Sequence, residues 1–284
     1  MPPDRQFYSP EGGLELKADN TIFDVQAWRD LVLMAALAPK DFLFEVAMGK
    51  VAGTSMISKF GFNSEIDTAT DPEAIWGGGG KYTGFDADVA ETVSIASSDG
   101  NDTSDGTGAR TVELQGLDAN YSALTETITL NGLTPVLSTG SFIRLDRAIV
   151  KTAGTTQANE GTITCNQSTT TANIFFALPI GSNQTQVCAY TVPAGKTGYL
   201  FSIQASDIAS TNSESVMNMQ VRELGGLFKQ IVIFVISQTG GQFFKNTHPL
   251  YTLPEKSDVV MVAQSVSVNN TQISGAFDIL LVDN

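Results

Sequence analysis

The chain has little of what most enzymes and nucleic-acid binders are built from. One histidine, His248, stands among 284 residues. Multi-histidine metal centres are therefore excluded, and a serine–histidine–aspartate triad has one candidate base. His248 precedes Pro249 in an extended stretch without a supporting nucleophile motif, and it reads as a surface or interface residue. The two cysteines, Cys165 and Cys188, read as small buried or half-buried thiols in strands, and their spacing leaves pairing open. Basic residues number 16 against 30 acids, a net charge of −14, and no basic cluster offers a footprint for a phosphate backbone. No run approaches the roughly 20 apolar residues of a membrane-spanning helix. The opening MPPDRQFYSPEGG lacks a basic segment followed by an apolar one, so no secretory signal is read there. Charged residues are 16% of the chain, against roughly 25% in average soluble domains.

Glycine, 26 residues of it, and abundant threonine, serine and asparagine take their place. That composition suits strands and turns better than long surface helices. The expected fold class is all-β: two antiparallel β-sandwich domains, jelly-roll-like, preceded by an extended N-terminal arm with one short helix. The arm spans residues 1–85. Within it, Val25, Trp28, Leu31, Val32 and Ala35 share one helical stripe, which predicts a helix over 24–37 with Asp24 at its start and Pro39 beyond its end. A helix of about fourteen residues is marginal alone, so its stripe needs a partner surface. Four glycines follow Trp76 and cannot hold a rigid element without outside contacts. The arm is therefore expected to become ordered on assembly, with Trp28, Leu31, Phe60, Phe62 and Trp76 as interface anchors. The alternative is a surface loop with one tucked aromatic. If the arm reading holds, residues 1–85 are removable without unfolding the rest, and Trp76→Ala harms assembly more than thermal stability.

Residues 86–178 alternate apolar and polar positions between turns every eight to twelve residues, as in ETVSIAS, in RTVELQGL with its partner after Asp118-Ala119-Asn120, and in SFIRLDRAIVKTAG. Residues 179–284 repeat the style with longer strands and match a jelly-roll-like sandwich. The run KQIVIFVIS is apolar on both faces, which predicts a strand central in a sheet or buried between subunits.

Chemistry-bearing constellations are few. The loop at 99–106 places Asp99, Asn101 and Asp105 at spacing suggestive of calcium, whose ligands are hard oxygens. It departs from the EF-hand pattern in its glycine and lacks the twelfth-position glutamate, which favours a solvated hairpin loop instead. The glycine run at 77–80 has no strand-to-helix context and no following Lys-Ser/Thr, so it is not a phosphate cradle. Paired carboxylates of a glycan hydrolase are the enzyme alternative. Aromatics are an unexceptional 8%, and the other catalytic kits are missing. The chain reads as non-enzymatic, with no cofactor and no metal beyond that calcium candidate.

Four blocks carry a resemblance: GTSMISKFGFNSEIDTATDPEAIWGGGGKYTGFD, GTGARTVELQGLDANYSALTETITLNGLTPV, AYTVPAGKTGYL and YTLPEKSDVVMVAQSVSVNNTQISGAFDILLVDN. They resemble segments of virion structural proteins of tailed bacteriophages, including marine podoviruses, and together cover most of the chain from residue 53 onward. The resemblance implies a non-enzymatic particle component built on β-sandwiches. A homotrimeric capsid decoration or head-fibre protein is the leading expectation, located in the virion and assembled in the host bacterial cytoplasm. Its partners would be itself and the major capsid or tail proteins, with no nucleic acid and no membrane. The alternative is a tail adaptor or tail fibre that recognises host surface glycans. A net charge of −14 would keep such a part soluble by mutual repulsion before assembly.

Overall fold

The computed structural model describes residues 14–16, 22–24, 42–70, 72–208, 213–237 and 241–284. The chain divides into two compact units, Met1–Val51 and Ala52–Asn284. In the first, β1 (Leu14–Leu16) pairs antiparallel with β2 (Ile22–Asp24), and α1 (Phe42–Ala47) buries Val46. The helix expected over 24–37 lies outside the described residues except for Asp24, which ends β2; Trp28 and Leu31 lie outside them too.

The second unit is built from antiparallel sheets, as the alternation requires. One lobe joins two of them around a shared core. The first sheet runs in the order β11 (Ile174–Leu178), β10 (Ile163–Gln167), β5 (Glu91–Ser97), β8 (Val136–Phe142). The second runs β7 (Ala123–Thr129), β6 (Ala109–Leu117), β9 (Arg144–Ala153). Val93, Ile95, Val112, Leu114, Phe142, Ile163 and Phe176 fill the space between them. The β6–β7 turn has the expected chemistry: Asp118 Oδ1 accepts from the backbone N–H of Asn120 at 2.8 Å and Ser122 at 2.9 Å.

The other lobe packs a sheet ordered β16 (Gln242–Leu253), β13 (Lys196–Ile208), β18 (Thr271–Asp283), β3 (Thr54–Ile66) onto one ordered β12 (Ala189–Thr191), β17 (Asp258–Val266), β14 (Glu214–Arg222), β15 (Lys229–Ser237). The two-residue β4 (Glu73–Ala74) also pairs with β17. Period-two patterning is plain in β18, where Ile273, Phe277, Ile279 and Leu281 point inward. Strand β17 reads DVVMVAQSV because both of its faces are covered: Val259, Met261 and Ala263 line the second core, Val260 and Val262 the first.

The 1–85 bound of the expected arm is corrected at this point. Residues 54–66 are not an arm but a thirteen-residue strand, paired with β18 from Thr54–Val282 to Ile66–Thr271. Trp76 is 3% exposed, within the first core. The glycines after it form a turn folded against its own indole. Trp76 Nε1 donates to the Gly80 carbonyl at 3.1 Å, and Gly79 and Gly80 adopt φ of +68° and +63°. A Cβ on Gly78 would lie 2.4 Å from the ring. Glycine is there to let backbone wrap an aromatic, so the run is a clasp around the Trp76 ring.

Candidate functional site

Where the two lobes of Ala52–Asn284 meet, the strand register assembles a buried charge cluster. Asp258 opens β17, with Thr191 of β12 beside it on one side and Arg222 of β14 on the other. Arg144, the first residue of β9, reaches it from the first lobe. Asp258 Oδ1 accepts from Arg144 Nε at 3.0 Å and Thr191 Oγ1 at 2.6 Å; Oδ2 accepts from Arg144 Nη2 at 3.1 Å and from Arg222 Nε at 3.0 Å and Nη2 at 2.6 Å. Arg144 Nη1 also donates to the carbonyls of Ala87 and Ile143, both at 2.8 Å. Burial alone would lower the Arg144 pKa, but the hydrogen bond and charge of Asp258 outweigh it and leave that pKa raised. Phe85 lies under both guanidinium groups, at 5.6 and 6.0 Å, and Tyr82 packs edge-on between Phe85 and Trp76.

A second charge pair lines a cleft of about 500 Å³ between the same lobes. The Lys59 amine donates to the Asp146 backbone carbonyl, and Arg147 Nη2 donates to the Ser58 carbonyl at 2.9 Å. Lys59 is 4% exposed. Loss of solvent pulls its pKa down to about 8, with Asp146 opposing the shift and Arg147 adding to it. Burial likewise pushes Asp146 up to about 6, opposed by Lys59 and by the Thr191 N–H. Burial and the Asp146 charge raise Tyr190 in turn. Perturbed groups in a cleft point to chemistry only when a nucleophile, base or electrophile is aligned with them. Here Lys59 and Arg147 donate to backbone carbonyls of the opposite lobe and Asp146 accepts from the Thr191 N–H, so the arrangement joins strands.

The outer face of the β16–β13–β18–β3 sheet carries an uncharged groove of about 540 Å³. One row across it reads Phe60, Ala276, Gln204, Phe244, and the next reads Phe62, Ser274, Ser206, Gln242. Phe60 is 37% exposed and Phe244 64%. Phe60 and Phe62, expected as arm anchors, thus lie on a sheet face, and Trp76, the third, is core.

The loop at 99–106 is organised by a residue that sequence reasoning passed over. Asp102 is fully buried and accepts from Ser97 Oγ at 2.6 Å and from the N–H groups of Ala109, Glu160 and Gly161 at 2.7, 2.9 and 2.8 Å. Of the calcium candidates, Asp99 Oδ1 accepts from the Asn101 N–H at 2.8 Å, and the Asn101 amide donates to Glu160 at 3.0 Å. Among the described residues, no three or more His, Cys, Asp or Glu side chains are grouped to hold a metal ion. Cys165 and Cys188 are buried free thiols, one in each lobe's core, and burial raises both pKa values. His248 lies within β16.

No protein-family model and none of the curated proteins compared match the chain. Among solved structures it is similar to the infectious bursal disease virus VP2 subviral particle: 9% identity over 91% of this chain and 78% of that one, TM-score 0.22. It is also similar to infectious bursal disease virus derived T=1 particles, with 12% identity over 90% and 75% and TM-score 0.20. Both are weak likenesses to components of virus particles, and at these TM-scores they carry no argument about this chain.

Proposed function

We propose that this chain is a non-enzymatic structural protein of a tailed-bacteriophage virion, serving as a capsid decoration or head-fibre component built from several copies. One observation carries the reading. The sequence blocks that resemble the phage family supply β3, the Trp76 clasp, Phe85, the β6–β7 hairpin, β12, β17 and β18, which include one hairpin of the first lobe, strands of both sheets of the second, and Asp258 at their junction. Two lobes joined through β17 and a buried Arg–Asp–Arg cluster suit a piece that must resist force and proteolysis. The decisive experiment is to locate and count the chain in purified particles by labelled imaging and quantitative mass spectrometry. Many copies on the head are expected; absence from particles would refute the reading.

A second reading, a tail component that recognises host surface glycans, is favoured by the uncharged groove. Its phenylalanines flank glutamine and serine, groups suited to stack on and hydrogen-bond a neutral sugar. Its signature would be binding on a glycan array by the full chain, abolished by Phe60→Ala and Phe244→Ala, with six or twelve copies per particle.

A further inference from the structure

The groove on the outer face of the β16–β13–β18–β3 sheet, about 540 Å³, falls within the size range of small-molecule sites. Its chemistry narrows the occupant by elimination. Among the described residues that line it none is charged, in a chain of net charge −14. A cation would find no acid there. An anion would find no base, and the rest of the molecule would repel it. The backbone groups of β13 and β18 beneath are taken up by the ladders to their neighbours, so an extended peptide would have no main-chain partners on this floor. A wholly apolar ligand would strip water from the amides of Gln204 and Gln242 and from the hydroxyls of Ser206 and Ser274 without replacing its hydrogen bonds. What remains is an uncharged ligand with hydroxyl groups on its rim and C–H surface on its faces. Such hydroxyls both donate and accept, as do the serine hydroxyls and glutamine amides they would meet.

The strand register then sets the shape of the site. Phe60 and Phe244, 37% and 64% exposed, close the two ends of one row across the sheet, with Ala276 and Gln204 between them. Three strand spacings separate the two rings, about 14 Å. In the next row Ser206 Oγ and Ser274 Oγ lie 2.7 Å apart and hydrogen-bonded, close to the separation of neighbouring hydroxyls on a sugar ring. The floor is therefore short and polar, and an exposed aromatic face stands on either bank. From these observations we infer that the groove binds an uncharged oligosaccharide of at least three units, laid across the strands. Its end units stack on Phe60 and Phe244, and its middle hydroxyls lie over Ser206, Ser274 and Gln204. The minimum length follows from the span, since about 14 Å is more than the two rings of a disaccharide bridge. The inference rests on the glycan reading of this groove and adds to it charge class, length and direction.

The test uses the full chain. It is applied to an array of neutral and acidic glycans, and titration calorimetry follows with fragments of one to six units cut from a bound glycan. Hits should be confined to neutral glycans. Affinity should rise at least about 10-fold between two units and three or four, where the second phenylalanine is reached, and then level off. Phe60→Ala and Phe244→Ala should each weaken the longer fragments about 10-fold and barely change the disaccharide, which can use either ring. Both rings lie on the solvent face of the sheet, so circular dichroism should show both variants folded. Ser274→Leu, at an exposed position of the floor, fills the trough and removes a hydroxyl, and it should abolish binding with both phenylalanines in place. Leu133→Ala, at a site 65% exposed on the first lobe, should change nothing. Hits confined to acidic glycans, affinity indifferent to length, or binding unchanged in the groove variants would overturn the inference and leave glycan recognition by the chain standing. An array without hits would overturn both. Tail placement is decided separately, by the copy count in particles.

Discussion

Replacing Asp258 by alanine removes one carboxylate and strands two guanidinium groups. Arg144 and Arg222 have side-chain exposures of 6% and 22%, so neither recovers its hydration when the acid is lost. Five hydrogen bonds end on Asp258: two from Arg144, two from Arg222 and one from Thr191. Breaking a buried ion pair from one side costs about 3–5 kcal/mol, mostly because the remaining charge is left uncompensated. For a unit of this size each kcal/mol moves the melting midpoint by about 2–4 °C, so a drop of about 10 °C is expected. Denaturant unfolding followed by both tryptophan fluorescence and far-ultraviolet circular dichroism is the assay. The transitions should stay coincident, because β17 belongs to both cores. Arg222→Met should cost less than half as much, its guanidinium being nearer solvent. In a double-mutant cycle with Asp258→Ala its effect should be strongly non-additive. A loss below about 1 kcal/mol for Asp258→Ala would refute the view that this cluster holds the lobes together.

Lys59 sets a pH dependence. Its folded pKa, about 8, lies below the ordinary lysine value of 10.5, so the folded state is penalised while the amine is charged. The penalty is full below pH 8 and disappears as pH rises toward 10.5. That shift corresponds to about 3 kcal/mol, read as the stability gained by the parent relative to Lys59→Met between pH 8 and pH 10.5; parallel curves would contradict it. Asp146 acts on the acid side: its folded pKa of about 6 is raised above 3.8, so stability should fall as pH rises through that window and the dependence should vanish in Asp146→Asn. Trp76→Ala should destabilise by about 3–5 kcal/mol, as expected for a buried aromatic, and a protein starting at residue 52 should fold whereas one starting at 86 should not, both read by thermal melting. Gly61→Ala should cost at least about 2 kcal/mol, because its Cβ would lie 2.2 Å from the Ile75 carbonyl oxygen and 2.5 Å from the Cys188 nitrogen; a melting midpoint unchanged within error would show that the two sheets can part there.

The all-β class and many strands were legible in sequence because alternation is local. The Asp118 turn was equally readable, since an aspartate that bonds the next backbone amides needs nothing remote. The junction was not. Arg144, Arg222 and Asp258 are 36 to 114 positions apart, and nothing in the spacing of two arginines and an acid says that three strand ends converge. The one available signal was an aspartate heading the unbroken apolar run of β17. Asp102 was passed over for a related reason: in a loop full of carboxylates, sequence cannot tell which one turns inward to collect amide protons.

Two runs, DVVMVAQSV and KQIVIFVIS, look alike as strings, yet one is buried on both faces and the other is an edge with Ile233 and Val235 in the open. Hydrophobicity records that a face must be covered, not by what. For β17 the covering comes from both lobes of its own chain, and for β15 the described residues bury Phe234 and Ile236 and leave Ile233 and Val235 exposed. The same ambiguity led the glycines after Trp76 toward an arm, because flexibility in the unfolded chain and close approach in the folded one call for the same residue.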